Sequence, residues 1–244
     1  LKNRFENIQK KINKEVEMLQ NIAHQWRQPL SIISTAASGM KVKKDFGTLD
    51  NKDIDDTVTT IMKSTNYLSK TIDDFRDFFR TDKKSEIFNI SNAIQDSIDI
   101  LNIKLFKNNI EIVFEKKEFE YDSFKNEFIQ VIMNILSNAI DAFIEGIDKY
   151  IFIDINIVSN NLEISIKDSA GGININIIDR IFEPYFTTKH KSQGTGIGLY
   201  MSEEIITKHL DGKITVENIE YEYDNKKLNG AKFVILLPIK KGQL

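Results

Sequence analysis

NILSNAIDAF, residues 134–143, sits inside a longer stretch, 123–145, whose apolar residues recur at helical spacing. At about 100° per residue, Ile129, Ile132, Leu136, Ile140 and Phe143 form one apolar stripe, and Asn134, Asn138 and Asp141 cluster on the opposite side. The stripe predicts a helix buried along one face. Carboxamide oxygens gathered on the other face suit a magnesium ion and its waters beside phosphate oxygens. The same three residues also make an ordinary solvated polar face, so the stretch alone leaves both readings open.

The surrounding sequence is mixed. IFNI (87–90) is strand-like, and Ser91 is placed to cap a helix running to about Phe106. IEIVFE (110–115) reads as a strand. YIFIDINIV (150–158) and LEISIKD (162–168) alternate as a hairpin, 196–209 is helical, and KITVENI (213–219) and AKFVILLP (231–238) are strands. Residues 86–244 therefore predict an α+β layer fold on a largely antiparallel sheet.

Two glycine-rich motifs lie between these elements. DSAGGI (168–173) puts Asp168 at the end of a strand and a tight turn after it. A carboxylate there can accept from an exocyclic amine such as adenine N6, and Gly172 lets a base come close to the backbone; a plain glycine turn has the same sequence. GTGIGL (194–199) opens a helix with Gly194, Thr195, Gly196, Ile197, Gly198 and Leu199, and free N–H groups at a helix start suit phosphate. It is not a dinucleotide fingerprint, since no parallel βαβ unit surrounds it, nor a Walker loop, which needs a following Lys-Ser/Thr. FEPYFTTKHKSQ (182–193), polar and basic, reads as a lid in which Lys189 can reach phosphate.

Residues 1–80 have another texture. Phe5, Ile8, Ile12, Leu19, Trp26 and Ile33 follow a heptad seam, and Ile54, Val58, Ile61, Thr65, Leu68, Ile72, Phe75 and Phe79 alternate by four and three. DFGTLDN (45–51) between them reads as a turn. Two long helices with one turn make a hairpin, and a lone hairpin leaves its seam half covered. A dimeric antiparallel four-helix bundle is the expected way to close it, with packing of the hairpin on its own second domain as the alternative. TDKKSE (81–86) is a polar linker, which sets the domains at 1–82 and 86–244.

The whole chain has 244 residues, 41% apolar and 28% charged, with a formal net charge of −3 and no cysteine. Disulfides, thiolate catalysis and Cys-ligated zinc are excluded. No basic run suggests nucleic-acid binding. No apolar run approaches the roughly 18 residues of a membrane span. The chain begins with Leu1 rather than Met and is expected to be a piece of a longer protein. This segment is then cytoplasmic, and any anchoring in the inner membrane belongs to the missing upstream part.

Taken in order, NxxxN, D-x-x-G-G, FEPYFTTK and GTGIGL resemble the N, G1, F and G2 boxes of the GHKL ATP-binding superfamily, whose fold is an α/β two-layer sandwich of the Bergerat type. Preceded by a helical hairpin carrying HQWRQPL, the chain resembles the dimerisation and catalytic core of a sensor histidine kinase over nearly all its length. The resemblance implies that Asn134 and Asn138, with Asp141 beside them, handle a nucleotide-bound Mg²⁺ and phosphate, with Asn134 as the contact to the metal. It implies that Asp168 reads adenine and that 187–198 closes over the triphosphate of ATP. His24 would be the phospho-acceptor, and the partner the receiver domain of a response regulator. Two positions depart from the pattern. Ala170 replaces the first glycine of the G1 box, and Gln25 stands where an acid usually follows the histidine, which leaves the general base open.

His24 lies about 140° from Leu19 and about 160° from Trp26 around the helix, away from the seam, with Arg27, Gln28 and Ser31 on its outward face. Pro29 deprives the Gln25 carbonyl of its helical partner, a cost of about 3 kcal/mol, and predicts a bend beside the histidine. Gln28, about 40° from His24, is the family's candidate for orienting the water that dephosphorylates the regulator. Two rival functions remain. An ATP-hydrolysing clamp of the same superfamily would carry a glutamate at the first N-box position, where this chain has Asn134. A degenerate kinase that docks and sequesters a receiver domain is kept open by Gln25.

Overall fold

The computed structural model describes residues 26–79, 85–189 and 195–239, the side chains of Lys70 and 73–79 excepted. His24, Gln25, His190 and Gly194, and the heptad positions before Trp26, lie outside the described residues. The chain divides into two compact units. One ends at Phe79 and takes in Thr187–Thr195; the other comprises Arg80–Phe186 and Gly196–Leu244.

The first unit contains helix α1, described over residues 26–45, and helix α2, Asn51–Phe79. Its turn is built from both ends. Gly47 takes φ +68, the Gly47 amide donates to Lys44 O (3.0 Å) and the Thr48 amide to Lys43 O (2.9 Å), a left-handed helix stop that needs glycine. Asp50 then caps α2, accepting from the Asp53 amide at 2.7 Å while the Asp53 carboxylate accepts from the Asp50 amide at 3.4 Å. Lys43 bridges to Asp53 across the turn. The helix runs through Pro29, which is buried, without a break to residue 45; the bend expected at Gln25 lies outside the described residues. Along the predicted seam, Ile33, Ile61 and Leu68 are half-buried, but Ile54, Val58 and Ile72 are 37%, 44% and 38% exposed in the single chain.

The second unit runs β1 (Glu86–Asn89), α3 (Ile90–Lys107), β2 (Glu111–Phe114), β3 (Glu120–Ser123), α4 (Lys125–Ala142), β4 (Tyr150–Val158), β5 (Asn161–Asp168), a 3₁₀ turn (Ile178–Arg180), α5 (Gly198–Glu204), a π turn (Ile205–His209), β6 (Lys213–Tyr223) and β7 (Lys226–Pro238). β1 and β3 form an antiparallel pair, and the main sheet has the order β2-β4-β5-β7-β6. β2 joins β4 in parallel and the other three pairings are antiparallel, so the sheet is largely antiparallel, as the sequence predicts, with one parallel edge strand. α4 packs between α3 and α5 and against β5. Ile151, Ile153 and Ile155 of β4, Leu162, Ile164 and Ile166 of β5, and Phe233, Ile235 and Leu237 of β7 are buried with Val131, Ile132, Ile135 and Leu136 of α4 in one core. Fully burying one such side chain stabilises by about 1.5–3 kcal/mol, and alternation along the strands sends the intervening residues to the other face.

Three local expectations change. The cap of α3 is Asn89, whose side chain accepts from the Asn92 amide at 3.0 Å; Ser91 lies inside the helix, where its hydroxyl donates to Lys117 O (2.6 Å) and accepts from the Lys117 amide (2.9 Å). β3 has no apolar alternation to announce it. The helix expected over 196–209 is α5 followed by the π turn, whose carbonyls are taken up by the Leu210 and Gly212 amides, at Ile205 O (3.0 Å) and Ile206 O (2.7 Å).

Candidate functional site

The site grows from the C-terminal end of β5 and the facing helices. Asp168 continues the inward parity of Leu162, Ile164 and Ile166, so its carboxylate enters the helix side of the sheet. It is 4% exposed. Its Oδ1 accepts from the Ala170 amide (2.9 Å) and the Ala231 amide (3.2 Å). Oδ2 has no hydrogen-bond partner among the described residues and remains an available acceptor. Burial holds this carboxyl above its ordinary range, against the two backbone donors that favour the ionised form.

The turn after Asp168 is positioned by its glycines. Gly172 has φ +82, and a Cβ there would come 2.7 Å from Asn218 Oδ1. Ala170, the departure from the family pattern, donates the amide that holds Asp168 Oδ1, a contact its methyl does not obstruct. Ser169 Oγ fastens the other side of the turn, donating to Asp148 O (2.7 Å) and accepting from the Tyr150 amide (2.9 Å).

On α4, Asn134 and Asn138 are half-buried and Asp141 is exposed. Asn134 Nδ2 donates to Gly198 O (3.2 Å) and Ser202 Oγ (3.3 Å), tying α4 to the first turn of α5. That geometry commits the amide nitrogen and leaves Oδ1, a hard oxygen suited to magnesium, as the free end of the group. At the other end of the pairing, His209 Nδ1 lies 2.9 Å from Glu127 Oε1, so the π turn is pinned to the first turn of α4. His209 is thereby a structural contact of this unit.

The segment carrying the glycine-rich box leaves the second unit at Phe186 and re-enters at Gly196. Its re-entry is fixed: the Tyr185 amide donates to Gly196 O at 2.8 Å, with both residues at positive φ, +67 and +66. Ile197 is buried, Gly198 opens α5, and Leu199 packs at the margin of the core. The structure thus ties Asn134 to Gly198 at the start of α5 and places Gly172 in the turn that follows Asp168. Lys189 and Thr195 fall in the first unit. Sequence reasoning missed Tyr221, Asn218, Asn229 and Gly230, which come to the Asp168 turn from β6 and β7.

Two family models match. Residues 125–241 fit the histidine kinase-, DNA gyrase B- and HSP90-like ATPase family, and residues 14–84 fit the His Kinase A (phospho-acceptor) domain. The chain carries the two-domain core of a histidine kinase. His24 lies within the phospho-acceptor match, and Asn134, Asp168 and Gly198 lie within the ATPase match. The chain is 25% identical over 232 residues to the two-component sensor PprA of Pseudomonas aeruginosa, covering 91% of this chain and 24% of that protein. It is 25% identical over 221 residues to the sensor histidine kinase ZraS of Escherichia coli O157:H7, covering 89% of this chain and 45% of that one. The chain therefore spans less than half the length of either relative. Among solved structures, the catalytic domain of histidine kinase ThkA is 28% identical, with a TM-score of 0.53, over 64% of this chain and 95% of its own. ThkA in complex with response regulator protein TrrA covers 95% of this chain and 64% of its own, with a TM-score of 0.69 and 24% identity, a likeness of fold.

Proposed function

We propose that the chain takes the γ-phosphoryl of ATP onto His24 and passes it to an aspartate in the receiver domain of a response regulator, working as a homodimer. The observation that carries this reading is the pairing of a phospho-acceptor match with an ATPase match on one chain, joined to a buried Asp168 with one oxygen free at the end of β5.

Each residue has a defined task. Asp168 Oδ2 accepts the 6-amino group of adenine, and Gly172 keeps the turn clear of the base. Asn134 Oδ1, with Asn138 and Asp141 along the same helix, holds Mg²⁺ through the nucleotide. A bound magnesium ion neutralises charge on the phosphate oxygens. Gly194, Thr195, Gly196, Ile197, Gly198 and Leu199 follow the triphosphate, and Lys189 supplies a cation to it. A neutral His24 imidazole nitrogen attacks the γ-phosphorus: an N–P bond forms, the bond from phosphorus to the bridging oxygen breaks, and ADP departs with that electron pair. Gln25 can hydrogen-bond but cannot take the imidazole proton, so the base is a group other than its neighbour in sequence. Gln28 then orients water toward the phosphorylated regulator.

Within the described residues no helix is long and apolar enough to cross a membrane, and no group of three His, Cys, Asp or Glu side chains gathers as a metal site. A phosphate assay with γ-labelled ATP separates the readings. Label on the protein, lost on chelating magnesium, supports the kinase. Free phosphate alone supports the hydrolysing clamp, and neither supports the sequestering module.

A further inference from the structure

The turn that presents Asp168 is held mostly by β6 and β7. The Tyr221 hydroxyl donates to Asp168 O at 2.9 Å. Asn218 Oδ1 accepts from the Ile173 amide at 2.7 Å, and its Nδ2 donates back to Ile173 O at 2.6 Å. The Gly171 amide donates to Asn229 O at 3.0 Å. Between these contacts lies Gly230, where a Cβ would come 1.6 Å from Asp168 O and 2.8 Å from its Oδ1. Only the absence of a side chain lets the Asp168 backbone sit so close to β7 and within reach of Tyr221.

Tyr221 is not a loose donor. Its ring meets Phe152 edge-on at 5.5 Å between centroids, and Lys167 Nζ lies 4.8 Å over the ring. Two neighbours on the outer face of the sheet thus aim the hydroxyl at one carbonyl. The two amides on Oδ1 fix one carboxylate oxygen. The direction of the other depends on the plane of the Asp168 backbone, which its carbonyl defines.

We propose that Tyr221 and Asn218 are positioning residues that orient the Asp168 turn and so set the preference of the site for adenine over guanine. This rests on the reading of Asp168 as the acceptor for the adenine amine. Adenine donates at position 6, where guanine carries an oxygen that gains nothing from a carboxylate. Tilting the turn therefore weakens ATP and leaves GTP unchanged, whereas general loosening of the fold weakens both together.

The test is calorimetric binding of ATP and of GTP to the full chain, wild type against Tyr221→Phe, Asn218→Ala and Asn218→Asp, with thermal unfolding of each. Tyr221→Phe removes one hydroxyl and is expected to lower ATP affinity about fivefold, the scale of one net hydrogen bond, with GTP affinity unchanged. Asn218→Ala is expected to lower the ATP/GTP ratio as well, and Asn218→Asp, which keeps the acceptor for Ile173 N, to recover part of it. A wild-type preference for ATP that survives intact in Tyr221→Phe and Asn218→Ala overturns the proposal, as does an equal loss for both nucleotides. A wild type with no preference for ATP overturns the reading of Asp168 itself.

Discussion

Tyr185 and Gly196 hold each other at the backbone: the Tyr185 amide reaches Gly196 O at 2.8 Å, and a Cβ on Gly196 would come 2.5 Å from the Tyr185 carbonyl carbon. Rigid backbone stands on the other side of that contact, so no side chain can move away to admit a methyl. Gly196→Ala also forces a left-handed residue at φ +66, a strain of about 1–2 kcal/mol on its own. Gly171, at φ +91 with nothing near its would-be Cβ, provides the comparison. Gly171→Ala is expected to show the strain alone, a fall in Tm of about 2–4 °C per kcal/mol. Gly196→Ala should fall further and lose ATP binding. Equal shifts for the two variants in a thermal scan would mean that the Tyr185 contact is not tight.

The proposed role of Asp168 predicts that nucleotide binding depends on pH. Its carboxyl is raised above the ordinary 3.8 by burial. A raised carboxyl stabilises the fold fully below the unfolded value, and that contribution is lost as pH rises through the folded value. An adenine amine donating to Oδ2 favours the ionised form, so the bound group titrates lower than the free one. Between those two values ATP binding expels a proton, and affinity climbs with pH until the free carboxyl is ionised. Calorimetry in two buffers of different protonation enthalpy should show that release in the wild type and not in Asp168→Asn. The variant should also bind ATP about 10- to 150-fold more weakly, the scale of a buried charged hydrogen bond. Identical proton release in both proteins would contradict the role of Asp168.

Much of this was legible because it is periodic. The stripe along α4, the β4–β5 hairpin and the turn at 45–51 follow spacing and turn chemistry that involve only near neighbours. The β6–β7 hairpin extends beyond the 213–219 and 231–238 stretches, through polar residues that hide the alternation, and its turn does not fall at Asn229-Gly230, a turn signal by composition. In the structure Asp224 and Asn225 make that turn, at φ +49 and +58, while Gly230 provides room for the Asp168 carbonyl. β3, EYDS, is too short and polar to show a period. The cap of α3 moved two residues because Ser91 found a partner 26 positions away, at Lys117. Tyr221 and Asn218 carry no local signal at all: their roles exist only once 53 and 45 residues of chain are folded back.

The exposed seam of the hairpin gives the homodimer a direct test. Ile54, Val58 and Ile72 of that seam are all more than a third exposed in one copy. Burying such a seam is worth about 25 cal/mol per Å² of apolar surface. The full chain should sediment with twice the monomer mass at micromolar concentration. Val58→Asp, which adds a charge on α2 at an exposed position, should shift it toward monomer with unchanged ATP binding. A wild-type monomer at that concentration would sink the dimer.

Gln28 is exposed on α1, four residues beyond His24. An amide there can orient water toward a phosphorylated aspartate without touching the ATP site. Gln28→Ala is expected to slow loss of phosphate from the regulator while autophosphorylation continues at the wild-type rate. Equal loss of both activities would count against this role.

The central claim is that His24 takes the phosphoryl and the second unit binds its source. The direct measurement is incubation of wild type and His24→Gln with γ-labelled ATP, scoring label that is acid-labile and base-stable, with ATP affinity measured on the same preparations. The account expects such label on the wild type, none on His24→Gln, and the same ATP affinity in both. Label of that kind persisting on His24→Gln would make His190 or His209 the acceptor and contradict it.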